Sequence, residues 1–200
     1  LSLIGVFFKN SFKSIKYLDN LRRLPINVEK LLADKTFRWK INDVSLLLLK
    51  NIRNVRPSIF MLGREKMYPI CKEISLKIKE IAYIHSEGYP SGSLKHGPFA
   101  MLSRDNLVIL LIDSKNREKL QLCFQEIKAR DSNIIIFSDC ENIEDEIDLD
   151  KKYIVKLPNM EHYEEIIFTV GLQLFCYFLS INQNINPDKP RNLAKVVTVE

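Results

Sequence analysis

Four short apolar runs mark the middle and later parts of the chain: SIFML at 58–62, LVILLI at 107–112, NIIIFSD at 133–139 and YIVKLP at 153–158. Each is continuous rather than alternating, the pattern of a strand covered on both faces. Between and after them, apolar residues recur at helical spacing over about 66–82, 115–130 and 161–182. Strand–helix alternation of this kind predicts an α/β fold with a doubly wound parallel sheet and helices on both faces. A further short strand fits near IHSEG. Residues 1–53 carry helical patterns without a convincing strand, and an Asn or Asp stands as a possible cap near each start. NINPDKPRNLAKVVTVE has two prolines and no clear period before AKVVTVE, so it reads as a tail laid over the domain. The chain thus divides into a helical connector at 1–57, an α/β domain at 58–184 and a tail at 185–200.

Composition narrows the function classes. The chain has 200 residues, 46% hydrophobic and 28% charged, enough to bury a core. Its formal net charge is +5, but lysines are interleaved with acids. No basic stripe forms, so nucleic acid is not an expected partner. The four cysteines, Cys71, Cys123, Cys140 and Cys176, show neither CxxC nor metal-ligand spacing. They read as free thiols of a reducing cytoplasm, and no metal or cofactor is expected. Ile166–Ile181 is uncharged for 16 residues. A bilayer span needs about 20 apolar residues, and this run contains Thr169, Gly171, Gln173 and Ser180. It reads as a buried helix, with no membrane contact. The chain opens at Leu1 without a charged segment ahead of LSLIGVFF, so no signal peptide is read. Its start looks like a cut or a missed upstream region.

Titratable residues crowd into SLKIKEIAYIHSEGYPSGSLKHGP, Ser75 to Pro98. Glu73, Lys77 and Glu80 fall at i, i+4 and i+7 and share one helix face, while Lys79 points elsewhere. Two readings of that face stay open. One is a solvated salt-bridge stripe, and the other is a lysine and carboxylate held over a pocket, able to move a proton on a carbonyl compound. Pro90, Gly92, Gly97 and Pro98 shape the following loop, in which His96 stands between Lys95 and Gly97. His96 is a candidate acid–base group. His85 reads as structural and His162 as a first-turn surface residue. Lys195 is a candidate imine-forming amine in the tail. In doubly wound sheets ligands bind beyond the carboxyl ends of the strands, near the switch point. The turn after the first strand, MLGRE, holds only Gly63, so it is no dinucleotide fingerprint.

LGREKMYPICKEISLKIKEIAYIHSEGYPSGSLKHGPFAML resembles the second sugar-isomerase (SIS) domain of the glutamine–fructose-6-phosphate aminotransferase family, which makes glucosamine 6-phosphate. IKARDSNIIIFSD and the terminal PRNLAKVVTVE extend the likeness over about 60–200, and 1–57 is more loosely similar to the end of a preceding SIS domain. The resemblance implies a flavodoxin-like SIS fold. It implies that Lys195 forms a Schiff base with open-chain fructose 6-phosphate, that Glu80 shuttles a proton between the carbonyl carbon and its neighbour, and that Lys77 assists beside it. It implies that His96 opens the sugar ring from the partner subunit of a homodimer, and that Ala194 and Lys195 contact the substrate. Two departures stand out. Glu65 occupies a position where the family has glycine, and neither the family's glutaminase domain nor its serine- and threonine-rich phosphate loop is present. Ser91 and Ser93 could mimic such a loop, although turn formation suits them better. The leading reading is the carboxyl-terminal isomerase portion of such an enzyme, inactive alone. The alternatives are a non-catalytic SIS module that senses sugar phosphates and, less well matched by the tail, a deglycase-type SIS enzyme.

Overall fold

The structure is a computed structural model that describes residues 12–52 and 58–192, apart from the side chains of residues 12–14 and 52. Five parallel strands, β1 (Ile59–Gly63), β2 (Ser86–Pro90), β3 (Leu107–Ile112), β4 (Asn133–Ser138) and β5 (Ile154–Lys156), form one sheet in the order β2-β1-β3-β4-β5. This is the flavodoxin-like doubly wound order, with its switch point between β1 and β3. The continuous apolar runs split by parity. Met61, Ile109, Ile135 and Phe137 face one core. Phe60, Leu62, Val108, Leu110, Ile134 and Ile136 face the other. Every residue of β1 and β3 is buried, as two covered faces require.

The first face carries α1 (Phe12–Ala33), α2 (Lys35–Ile52), α3 (Met67–Lys77) and α6 (Glu164–Ile181). The second carries α4 (Arg117–Lys128), the short α5 (Ile143–Glu146) and the β2–β3 connection. Asp34 separates α1 from α2. Its Oδ1 accepts from the Thr36 and Phe37 amides at 2.8 and 3.2 Å, so the predicted Asp cap forms at this boundary. The apolar α6 packs on α1, α2 and α3 and buries Phe168, Leu172, Phe175 and Leu179. By length and composition it could cross a membrane, and half of it is buried inside this fold.

Three expectations shift in detail. The helix expected over 66–82 is α-helical only to Lys77, and Ile78–Ala82 forms a π-helical turn. The strand expected near IHSEG is β2, starting at Ser86. As an edge strand it tolerates Pro90 at its end. The run at 153–158 shrinks to three residues, because Tyr153 ends a 3-10 turn capped by the Asp150 carboxylate and Pro158 has no amide to donate.

α3 lies unusually close to the sheet. A Cβ on Gly88 would stand 2.7 Å from the Cys71 carbonyl carbon and the Lys72 amide nitrogen. A Cβ on Gly63 would meet the Met67 backbone at 2.8 Å. Buried Ser86 donates to buried Ser75 at 3.2 Å across the same seam. Gly88→Ala forces the helix backbone outward. We expect it to cost about 1–3 kcal/mol, the usual overpacking range, read as a lower denaturant midpoint at unchanged m.

Candidate functional site

The end of α3 brings together the charged residues that the spacing put on one face. Lys77 Nζ donates to Glu80 Oε2 at 2.6 Å and lies 3.7 Å from Glu73 Oε1. Lys77 and Glu80 are half-buried. Glu80 sits within the π turn, whose wider i→i+5 spacing presents its residues at angles that an α-helix does not. Turns of this type are often found at functional sites. The turn ends at Tyr83, a non-glycine residue in left-handed conformation at φ 57°. Its Ala82 carbonyl accepts from Gln183 Nε2 at 3.3 Å, which ties α3 to the end of α6. Asn182 in turn donates to Asn42 and Ser45 of α2, at 2.9 and 2.8 Å.

Glu80 opens onto a cavity of about 280 Å³ lined by Lys79, Tyr83, Arg191 and Asn192 as well. Lys79, expected to point away from the Glu73–Lys77–Glu80 face, borders this space beside Glu80. The Arg191 amide donates to the Tyr83 hydroxyl at 2.7 Å, and its guanidinium lies 4.1 Å from the ring centroid. Neither residue was singled out from the sequence. Their contact spans 108 positions, and no local periodicity marks it. Ala194 and Lys195 lie outside the described residues.

The cavity is not where the topology rule puts a ligand. α3 leaves the carboxyl end of β1 and returns the chain toward the amino end of β2, so Lys77 and Glu80 sit at the opposite edge from the switch point. At the switch point the polar groups pair only in part, and buried Arg64 Nε, Asp113 Oδ1 and Glu164 Oε2 have no hydrogen-bond partner among the described residues. Buried Glu164 pairs with Lys115, and Lys66 lies 4.0 Å away. Buried Asp139 accepts from the Ser114 amide at 2.7 Å and Asp113 accepts from Asn116 at 3.0 Å. Burial pushes both aspartic acids above the usual carboxylate range, against the pull of these hydrogen bonds. Glu65, in the turn after β1, takes φ 48°, a conformation that glycine adopts at lower cost.

His96 is exposed in the turn after β2, and its amide donates to the Ser93 carbonyl at 3.0 Å. Ser91 and Ser93 begin and end a 3-10 turn there. Buried Leu94, the Lys95–Glu126 pair at 2.6 Å and Arg130 over the Phe99 ring at 3.8 Å pin this loop to the α4 face. Ile78 and Ala82 of the Glu80 turn belong to the other core. His96 and Glu80 of one chain are therefore on opposite faces of the sheet. His85 Nδ1 meets the Ser58 hydroxyl at 2.8 Å in a structural contact. His162 stacks on Tyr17 at 3.8 Å, a packing role beyond the expected surface one. All four cysteines are free and buried, and burial raises Cys123 and Cys176 to about 12, so none is a ready nucleophile.

A sequence model of the SIS domain family matches residues 51–182. The chain belongs to the SIS domain family. This SIS domain is 35% identical over 193 residues to glutamine–fructose-6-phosphate aminotransferase from Caldanaerobacter subterraneus subsp. tengcongensis, covering 96% of this chain and 30% of that protein. The Buchnera aphidicola protein of the same name is 37% identical over 191 residues, with 94% and 29% covered. The chain spans about three-tenths of the length of these curated relatives. Among solved structures, the carboxyl-terminal domain of the Francisella tularensis glucosamine–fructose-6-phosphate aminotransferase superposes with a TM-score of 0.76 at 28% identity. That match covers 88% of this chain and 48% of that one. Glucosamine-6-phosphate deaminase from Thermotoga maritima shares the fold, with a TM-score of 0.57 at 23% identity over 78% of this chain and 46% of that one.

In this SIS domain the hydrogen bond to Glu80 holds the Lys77 ammonium above its ordinary value of 10.5, and burial only partly opposes it. A lysine stabilised as a cation is a poor imine former, so Lys77 is suited to holding charge beside Glu80. The pKa is raised in the folded state. The stabilisation is therefore fully present below the unfolded lysine value and is lost as pH rises through the folded one. Above about pH 10.5 the unfolding free energy should fall less steeply in Lys77→Met than in the unsubstituted protein, as measured by denaturant titrations across that range.

Proposed function

We propose that this chain supplies the acid–base half of a ketose–aldose isomerase site in a glutamine–fructose-6-phosphate aminotransferase, acting on fructose 6-phosphate in the cytoplasm. The observation that carries the reading is the Lys77–Glu80 pair at 2.6 Å, with Glu80 on the wall of a cavity also lined by Arg191 and Asn192. Lys195 follows four residues after Arg191, and its amine attacks the ketone carbonyl of the open-chain sugar, releasing water and leaving a protonated imine. That imine acidifies the neighbouring C–H. Glu80 takes this proton and returns it to the former carbonyl carbon, while Lys77 balances the charge. Ala194 lies next to the imine and contacts the substrate.

His96 opens the ring in the site of a second copy. The opposite faces held by His96 and Glu80 support this reading, because one chain cannot bring the two together across its own sheet. The site is then complete only in a homodimer. The phosphate grip and the ammonia source come from segments of the kind that the longer relatives carry.

Three experiments test the proposal. The 200-residue chain alone should make no glucosamine 6-phosphate from fructose 6-phosphate and glutamine, and robust synthesis would sink the reading of a dependent portion. In the full polypeptide that contains this chain, borohydride with fructose 6-phosphate should add a sugar mass to the peptide holding Lys195 and add none in Lys195→Arg. Label on Lys77 would move the imine to the helix. Mixed dimers of His96→Ala and Glu80→Gln subunits should regain part of the isomerase activity, because one hybrid site is intact. Dimers that form and regain nothing would overturn the assignment of His96 to the partner's site.

A further inference from the structure

Gln183 reaches the Glu80 turn from the end of α6 and does not line the cavity. Its Nε2 donates to the Leu179 carbonyl at 2.9 Å and to the Ala82 carbonyl at 3.3 Å. Both protons of the side-chain amide are therefore used. Ala82 is the last residue of the π turn and is buried. A helical donor for its carbonyl would come from Ser86 or Glu87, and both already belong to β2. The bond comes instead from the side, across 101 positions of sequence. The segment that supplies it is braced. Asn182 donates to Asn42 and Ser45 of α2, at 2.9 and 2.8 Å. The Ser180 carbonyl accepts from the Ile185 amide at 3.1 Å, and the Ser180 hydroxyl donates to the Ile185 carbonyl at 3.0 Å.

We propose that Gln183 is a positioning residue for proton transfer: by holding the Ala82 carbonyl it keeps the last turn of α3 in its π register and so fixes where the Glu80 carboxylate stands. This rests on the reading of Glu80 as the group that carries the proton. A buried carbonyl stripped of its donor is costly. The turn relieves that cost by shifting its register or by opening to water, and either change moves the backbone two residues from Glu80. Proton transfer between a carbon and a carboxylate depends steeply on their separation, and a misplacement of about 1 Å can slow a reaction on the order of a hundredfold. Binding of the sugar depends less on this one group. Loss of the Gln183 bond should therefore weigh on the chemical step more than on affinity. Three variants separate the causes. Gln183→Glu keeps the size and removes both donors, Gln183→Met removes them without adding charge, and Gln183→Lys restores a donor.

The test follows isomerisation of fructose 6-phosphate to the aldose in the full polypeptide that contains this chain, with ordinary sugar and with sugar deuterated at C1, the carbon that loses the proton. In Gln183→Glu and Gln183→Met, kcat should fall about tenfold and by a larger factor than KM changes. The isotope effect on kcat should be at least as large as in the unsubstituted protein, because the proton step is the one that has slowed. Gln183→Lys should recover most of the lost kcat. A fall in kcat with a smaller isotope effect shows that another step has slowed, and it overturns the proposal. A fall that Gln183→Lys does not mend and that follows the thermal midpoint marks a structural role and also overturns it. Unchanged kcat in Gln183→Glu and Gln183→Met, while Glu80→Gln abolishes isomerisation, removes the role of Gln183 and leaves that of Glu80 intact. Isomerisation that survives in Glu80→Gln instead removes the reading of Glu80, and the positioning role falls with it.

Discussion

The approach of α3 to the sheet governs the rest of the molecule. Helices usually keep their distance from a sheet because side chains on both surfaces must interdigitate. Here Gly63 and Gly88 remove the side chains that would stand between them, and the Ser75–Ser86 hydrogen bond crosses the gap. With the helix held that close, its last turn has a fixed height above β2, and α6 packs over it. The π turn then places Glu80 on a wall rather than on an outward-facing stripe. A longer residue at either glycine would lift the charged turn along with the helix.

Charge is distributed unevenly between the two edges of the sheet. At the carboxyl edge, where this topology usually binds ligands, Lys66, Lys115, Asn116 and Ser114 answer buried Glu164, Asp113 and Asp139. The pairing there is incomplete, because buried Asp113 Oδ1 and Glu164 Oε2 keep no hydrogen-bond partner among the described residues. At the amino edge, Lys79, Glu80 and Arg191 border open space, and Lys77 pairs with Glu80. A half-buried ion pair of this kind adds little to stability. Its arrangement suits proton transfer, in which a carboxylate must be held in place while remaining able to accept and release a proton.

Much was legible in the chain. The continuous apolar runs reported strands covered on both sides, and the structure buries every residue of β1 and β3. The i, i+4, i+7 spacing of Glu73, Lys77 and Glu80 survived as real contacts. The motif around Lys95 and His96 carried enough specificity to point to the SIS family. The π turn at Ile78–Ala82 was not legible, because helical periodicity assumes a constant angle per residue. The stacking of His162 on Tyr17 was equally hidden, since it joins segments far apart in sequence.

The sequence by itself determined the elements, their order and the family, because hydrophobic period, turn residues and a dense motif are properties of short windows. It also named Lys77, Glu80 and His96 as the residues worth watching. Only the tertiary structure decided that Glu80 and His96 of one chain face opposite ways, that the candidate cavity lies at the amino edge of the sheet, and that Tyr83 holds Arg191. Each of those depends on which face of the sheet a connection crosses and on contacts between residues up to 108 positions apart, and no local pattern encodes either.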